Sequence, residues 1–491
     1  MSGAPLPAEA DGLPPEIAET HVSWVVMLGD RAYKLLKPVD LGFLDHRARE
    51  ARARACRRET EVNRRFAPDV YLGVLDVVDE GGSLRDHLIE MRRMPARRRL
   101  TALLATDEAA ERVAEVARAV AAIHAAAPRS PEISRAGEPQ RVTANWRQGL
   151  AQIDEVAADL LPAGERRRVA ELALGYLAGR GALLARRIDE GWVRDGHGDL
   201  LCDDVFCLDD GPRLLDCLAF DDRLRHSDVL ADAAFLAMDI EAHGAQGLGR
   251  GLLETWSREL GESHPASLAD HYVAYRAHVR AKVACLRRRQ GGERAAAEAR
   301  HLHALCLRYL ERARVRLVLV GGAPGTGKST VAAALAERTG WAVLRSDAAR
   351  APLLGPAEPL REPAGYGEGR YAPERRAEVY AALVEDAGRR LALGESVILD
   401  ASWSAAAARE GAREVAASTC SELIEIRCSA PADVGRRRIA ERAARGGDPS
   451  EATPAIARRL AADADPWPQA STLDTDRSLA DTLADALARV A

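Results

Sequence analysis

Residues 316–340 read RLVLVGGAPGTGKSTVAAALAERTG. An apolar run of strand character enters a glycine-rich turn, and a stretch of helical character leaves it. The turn matches G-x-x-x-x-G-K-[ST] from Gly322 to Ser329. Gly322, Gly325 and Gly327 let the backbone curl, so that successive N–H groups can surround phosphate oxygens at the start of the helix. The candidate nucleotide-binding segment is therefore Gly322, Ala323, Pro324, Gly325, Thr326, Gly327, Lys328, Ser329 and Thr330. Lys328 is expected on the β- and γ-phosphates and Ser329 on Mg²⁺. Only four of the 69 basic residues are lysines, namely Lys34, Lys37, Lys282 and Lys328. A compact ammonium fits between phosphate oxygens where a planar guanidinium does not, so each lysine carries information in this arginine-rich chain.

Outward from that turn, strand and helix alternate to the C-terminus, which predicts a parallel sheet flanked by helices. WAVLRSDAAR places Asp347 at the carboxyl edge of the second strand, with Arg350 one helical turn on. There Asp347 faces the same crevice as the loop and is placed to take a proton from an attacking hydroxyl, or else caps a helix. Asp400, ending SVILDAS, points to the same edge and is a candidate for the Mg²⁺ shell. Arg438 and Arg442 stand four apart on one helix, either as a lid over the phosphates or as a solvated face. LRSDAAR, the YAPERRAEVYAALVEDA helix, VILDAS and the R-I-x-x-R lid resemble the small P-loop kinases, including gluconate kinase-like, chloramphenicol phosphotransferase-like and zeta-toxin-like proteins. The resemblance implies ATP as donor and a hydroxyl as acceptor. The stretch 352–373, PLLGPAEPLREPAGYGEGRYAP, holds no readable pattern that would name the acceptor.

The first half of the chain poses its own question at residues 195–201, DGHGDLL. Residues 20–38 alternate about a Gly-Asp turn and predict a β-hairpin, residues 46–68 a helix, and residues 70–95 a second strand pair. Helical periodicity covers 107–190 and about 227–313, with a short hairpin over 205–220. In a kinase-like fold an Asp on the catalytic loop orients the acceptor hydroxyl, and a second one beyond the next hairpin reaches Mg²⁺. Asp199 and Asp216 are the candidates, with Asp204 as a further metal ligand. Lys34 is placed to anchor phosphate and Glu59 to pair with it, with Lys37 as an alternative to Lys34. HGDLL, the run LLDCLAFDDRLRHSDVLADAAFLAMD and the opening THVSWV…YKLLKP…NRRFAP resemble the aminoglycoside phosphotransferase-like family. The order of the two halves resembles bacterial proteins described as bifunctional aminoglycoside phosphotransferase/ATP-binding proteins. Two departures stand out. The family pattern H-G-D-x-x-x-x-N has Asp204 where Asn belongs, which adds negative charge beside Asp199 and Asp216. No G-x-G-x-x-G covers the phosphates; the first hairpin offers only Leu28-Gly29-Asp30.

The 491 residues suffice for two or three domains. The expectation is an α/β and α+β two-domain chain: a protein kinase-like (aminoglycoside phosphotransferase-like) fold over 1–312 and a P-loop NTPase fold, a parallel sheet flanked by helices, over 314–491. The net charge of −5 counts against a nucleic-acid partner held by a general basic field. Eight cysteines form no C-x-x-C pair, and no apolar stretch reaches spanning length, so a soluble cytoplasmic protein with reduced thiols is expected. The chain reads as an ATP- and Mg²⁺-dependent phosphotransferase acting on a hydroxyl of a small polar molecule. The alternative is an ATP-binding sensor or regulator whose first half is degenerate. Oligomeric state stays open.

Overall fold

The alternation in residues 20–38 folds as expected. SWVVML and RAYKLL become β2 (Ser23–Leu28) and β3 (Arg31–Leu36), antiparallel about Gly29 and Asp30. Ahead of them β1 (Glu16–Glu19) pairs with β2. All four of its side chains are exposed, so it has no apolar alternation to betray it, and backbone hydrogen bonds hold it. β4 (Tyr71–Val78) and β5 (Leu84–Arg92) complete an antiparallel sheet of order β1-β2-β3-β5-β4. Helix Arg49–Asn63 covers one face and buries Cys56, Glu59 and Val62. Leu36, Cys56, Val70 and Ile89 form the small core between them.

The computed structural model describes residues 15–20, 22–40, 42, 44–292, 294–349, 373–445 and 454–490. The chain divides into two compact units. The first holds the antiparallel sheet, the helices Ala109–Ala126, Pro139–Val156, Val229–Ala242 and Leu248–Leu260, and most of Ala266–Arg289 and Ala295–Arg312. Among these helices β6 (Val193–Asp195) pairs with β9 (His226–Asp228), while β7 (Val205–Leu208) and β8 (Gly211–Leu214) form a hairpin between them. The β6–β9 pair ties off residues 196–225 as one closed excursion, and the DGHGDLL turn leaves from its neck. Helix Val229–Ala242 is buried almost all round, as its run of Ala, Leu, Phe and Met requires.

The second unit comprises Arg167–Leu184, Pro265–Asp270 and Leu310–Ala491. Its sheet is wholly parallel: β10 (Arg316–Gly321), β11 (Ala342–Arg345), β12 (Val397–Asp400), β13 (Glu422–Ser429) and β14 (Ser471–Asp474), in the order β11-β12-β10-β13-β14. Every residue of central β10 is buried, which is why it reads from Leu317 on as an unbroken apolar run and not an alternating one. Val318, Val320, Ile398, Ile426 and Leu473 meet Val331, Leu335 and Ala486 in the core. From the segment Arg167–Leu184, the Arg180 guanidinium, 1% exposed, donates to the carbonyls of Leu391 at 2.6 Å and Thr419 at 2.9 Å. It thereby closes the C-terminal ends of helices Pro373–Ala392 and Ala406–Ser418.

Candidate active sites

In the second unit the glycine-rich turn leaves the carboxyl end of β10 and enters helix Lys328–Thr339, with Gly327 as its N-cap in the left-handed region. Gly325, at φ +88°, is the tightest point. A Cβ there would stand 2.5 Å from the Gly435 carbonyl oxygen, so the turn packs directly on helix Ala432–Arg445. The Gly322 N–H donates to Ser402 O at 3.2 Å, and the Thr475 hydroxyl lies 2.7 Å from Thr326 O. The turn is thus held from the segments that follow β12 and β14.

Asp400 ends β12 at that edge and is only 4% exposed. Burial raises its pKa, resisted by a hydrogen bond from the Ser329 hydroxyl and by the charges of Lys328 and Arg345. Arg345 Nε stands 3.3 Å from Oδ2, while Oδ1 is buried with no hydrogen-bond partner among the described residues. An orphaned buried carboxylate oxygen beside Ser329 fits the donor set of a magnesium ion or its bound water. Asp347 follows β11, where Arg345 is in register with Asp400, and its charge pushes Asp400 further up. Arg438 reaches the turn from helix Ala432–Arg445. Its Nη2 donates to Thr475 O at 2.9 Å, and its Nη1 lies 3.6 Å from where a Cβ on Gly327 would stand.

In the first unit Lys34 Nζ lies 2.7 Å from Glu59 Oε1 and 2.8 Å from Asp216 Oδ1, the latter 182 residues away in the chain. Burial opposes the Lys34 charge, but Asp216 and Glu59 more than offset it and hold the ammonium well above its ordinary pKa. Lys34 in turn holds Asp216 below the usual carboxylate range. Asp216 adopts φ +60°, rare for a residue with a side chain. Its N–H donates to the Tyr71 hydroxyl at 3.1 Å, and the next N–H, of Cys217, to Asn63 Oδ1 at 2.8 Å. Lys37 instead pairs with Glu19, bonds Thr20 O at 2.6 Å and sits over the Trp24 ring, while Lys34 meets Glu59 and Asp216.

The DGHGDLL turn hangs on Asp232, which is fully buried. Its carboxylate accepts the N–H of His197 at 2.7 Å and of Gly198 at 2.9 Å, and meets His124 Nε2 at 3.1 Å. Burial alone would raise Asp232, yet the His124 bond and the nearby His197 hold it far below the ordinary range. Asp195 is clamped by Arg65 at 2.8 Å and Arg225 at 2.7 Å. Gly198 has φ +88°, and a Cβ there would stand 3.1 Å from Leu224 O. Asp199 therefore projects from a rigid turn. Burial raises its pKa, moderated by Arg280, His197 and Arg276. Asp204 is pushed well above its ordinary value by burial and by the charges of Asp216 and Asp199, the consequence expected of an Asp in the Asn position.

Lys34, Glu59 and Asp216 meet directly, and the charges of Asp199 and Asp204 are felt within that group. Lys328, Ser329, Asp347, Asp400 and Arg438 gather at one sheet edge. Arg350 and residues 351–372 lie outside the described residues, as does the Arg442 side chain. Among the described residues no group of three His, Cys, Asp or Glu side chains is gathered closely enough to hold a metal ion by itself. A magnesium ion normally takes one or two carboxylates and completes its shell with phosphate oxygens and water. Sequence reasoning passed over Asp232, Thr475, Tyr380 and Asn63. The Tyr380 hydroxyl, 3.1 Å from the Trp403 N–H, braces the segment after β12. Only Asp232 left a signal, as an acid within the apolar run VLADAAFLAM.

A family profile described as an AAA domain matches residues 317–467. Over 465 residues the chain is 42% identical to the uncharacterized protein Rv2004c of Mycobacterium tuberculosis H37Rv, covering 94% of this chain and 92% of that protein. Among solved structures, a choline/ethanolamine kinase family protein from Mesorhizobium loti is similar at 17% identity, over 62% of this chain and 90% of its own, with a TM-score of 0.37. A sugar kinase from Janibacter sp. HTCC2649 is similar at 21% identity, over 36% of this chain and 94% of its own, with a TM-score of 0.28.

Proposed function

The chain belongs to the family of the mycobacterial protein Rv2004c, and on that footing we propose that it is an ATP- and magnesium-dependent phosphotransferase with two sites, acting on a hydroxyl of a small polar molecule. The observation that carries this reading is Lys34 held at 2.7 and 2.8 Å between Glu59 and Asp216, in a chain that also contains a complete phosphate-binding turn. A phosphate cradle alone is common to many nucleotide-binding proteins. A second, unrelated lysine–carboxylate assembly with its own projecting Asp has its use in phosphoryl transfer.

In the P-loop site Lys328 and the turn's N–H groups hold the terminal phosphates, and Asp347 accepts the proton of the attacking hydroxyl. Arg438 lies against the turn where charge develops on the transferring group. In the first unit Lys34 anchors phosphate, Glu59 positions Lys34, and Asp199 orients the acceptor hydroxyl and takes its proton. Magnesium, when bound, neutralises phosphate charge; Ser329 and Asp400 would hold it in one site, Asp204 and Asp216 in the other. A second reading, in which the first unit binds nucleotide without transfer, draws on Asp204. A carboxyl pushed well above its ordinary pKa opposes accumulation of three charges there.

No helix among the described residues is long and apolar enough to cross a membrane. The eight unpaired cysteines accord with a reducing, ATP-rich cytoplasm as the place of action. The test is ADP formation by the whole protein across sugars, aminoglycosides and nucleosides, repeated in Lys328→Ala and Asp199→Asn. An acceptor whose stimulation survives one change and falls by roughly 10²–10³ with the other assigns its site. If no acceptor raises turnover above background, the phosphotransferase reading fails.

A further inference from the structure

Arg280 stands beside the Asp199 turn with no hydrogen bond or ion pair among the described residues, in a chain where most arginines are tied to a carboxylate or a carbonyl. Its place is fixed by its neighbour one turn earlier on helix Ala266–Arg289. Arg276, 8% exposed, donates to Ala231 O at 3.1 Å and reaches Gly198 O, one residue before Asp199, at 3.4 Å. Residues four apart share a helix face, so Arg280 continues that face about 6 Å further along the axis. It is half-buried there, and its charge is the strongest of those that favour the ionised form of Asp199. Asp216, which Lys34 meets at 2.8 Å, also acts on the same aspartate through its charge. The phosphate end of the site thus has its own cation, and Arg280 comes from a different element.

We infer that the acceptor bound at Asp199 is a hydroxylated anion, and that Arg280 binds its negatively charged group while Asp199 takes the proton of its hydroxyl. A planar guanidinium matches a carboxylate or a phosphate ester with two parallel N–H bonds, and an unpaired one prefers such a partner to water. A polycationic acceptor such as an aminoglycoside meets repulsion from Arg276 and Arg280 instead. In the transfer, the acceptor oxygen bonds to the γ-phosphorus as the bond from that phosphorus to the bridging oxygen breaks. ADP departs and the hydroxyl proton passes to Asp199.

The inference rests on the first unit's reading as a transfer site, so binding and turnover are scored separately. In the whole protein carrying Lys328→Ala, with magnesium and a non-hydrolysable ATP analogue, calorimetry compares D-glucuronate, a phosphorylated glucose, D-glucose and D-glucosamine. The expected result is tighter binding of one or both anions than of glucose, with glucosamine weakest. Arg280→Gln removes that preference, by roughly ten- to a hundredfold, and Arg280→Lys restores part of it. The winning anion tells a carboxylate from a phosphate. Charge-independent binding, no binding, or a preference that survives Arg280→Gln overturns the inference. So does a variant whose only effect is a displaced pH profile, which would make Arg280 a tuner of Asp199. Charge-ranked binding without any Asp199-dependent ADP formation would keep the anion site and discard the transfer reading.

Discussion

Asp232 shows how much one buried carboxylate can hold. It satisfies two successive N–H groups, of His197 and Gly198, immediately before Asp199. Asp232→Ala leaves both donors buried without partners, at roughly 1–3 kcal/mol each. The expected loss is about 3 kcal/mol in denaturant unfolding of the first unit, together with loss of its acceptor-dependent turnover. Because the folded pKa is depressed, this contribution is complete above the ordinary Asp range and is lost only as pH falls through and below it. Asp400 behaves in the opposite sense. Its pKa is raised by burial, so the folded chain retains this proton where the unfolded chain has lost it, and stability falls as pH rises through the raised value. A magnesium ion needs the ionised carboxylate, so the affinity of the Lys34→Ala protein for magnesium with a fluorescent ATP analogue should rise over the same interval. Asp400→Asn should flatten that rise and weaken magnesium-dependent binding by roughly tenfold or more.

At the scale of elements, the phosphate turn is shaped by the helix that lies against it as much as by its own glycines. Gly325→Ala puts a methyl group 2.5 Å from the Gly435 carbonyl, where backbone and not a flexible side chain must yield. The left-handed conformation adds about 1–2 kcal/mol. The turn and helix Ala432–Arg445, which carries Arg438, should move apart. Nucleotide affinity of the P-loop site, measured in the Lys34→Ala protein, which lacks the phosphate anchor of the first unit, should then drop by more than roughly tenfold. The lysine pair of the first hairpin makes a related point. Lys34 and Lys37 stand three apart near the end of β3, yet one faces Glu59 and Asp216 and the other Thr20 and Trp24. A strand sends alternate side chains to opposite faces, and that pleat decides between them.

At the scale of the whole molecule, each compact unit is assembled from separated pieces of chain. The second draws in Arg167–Leu184, and Arg180 supplies donors to carbonyls at the ends of two of its helices. Arg180→Ala should lower the thermal stability of the second unit by about 3 kcal/mol, since buried carbonyls lose their partners. A fragment of residues 314–491 lacks Arg180 altogether and should unfold at a lower temperature than the same unit in the whole chain, as followed by nucleotide-protected unfolding. Equal melting of fragment and whole chain would show that Arg180 adds nothing.

The strands and helices of the parallel sheet, the phosphate turn and the pairing of β2 with β3 were legible in the sequence. In each, the deciding residues lie within one or two turns of chain, where periodicity and glycine spacing act locally. Asp199, Lys34 and Glu59 could be named as candidates from their residue types and from family resemblance. That Lys34 and not Lys37 meets Asp216, that Asp232 holds the turn, and that Arg280 stands beside Asp199 with no partner among the described residues depended on contacts between residues far apart in the chain. Sequence determines which side chains are available and which local shape each segment prefers. Which charges meet was decided only by tertiary packing, because electrostatic and hydrogen-bond energies depend on distances in space that the order of residues does not contain.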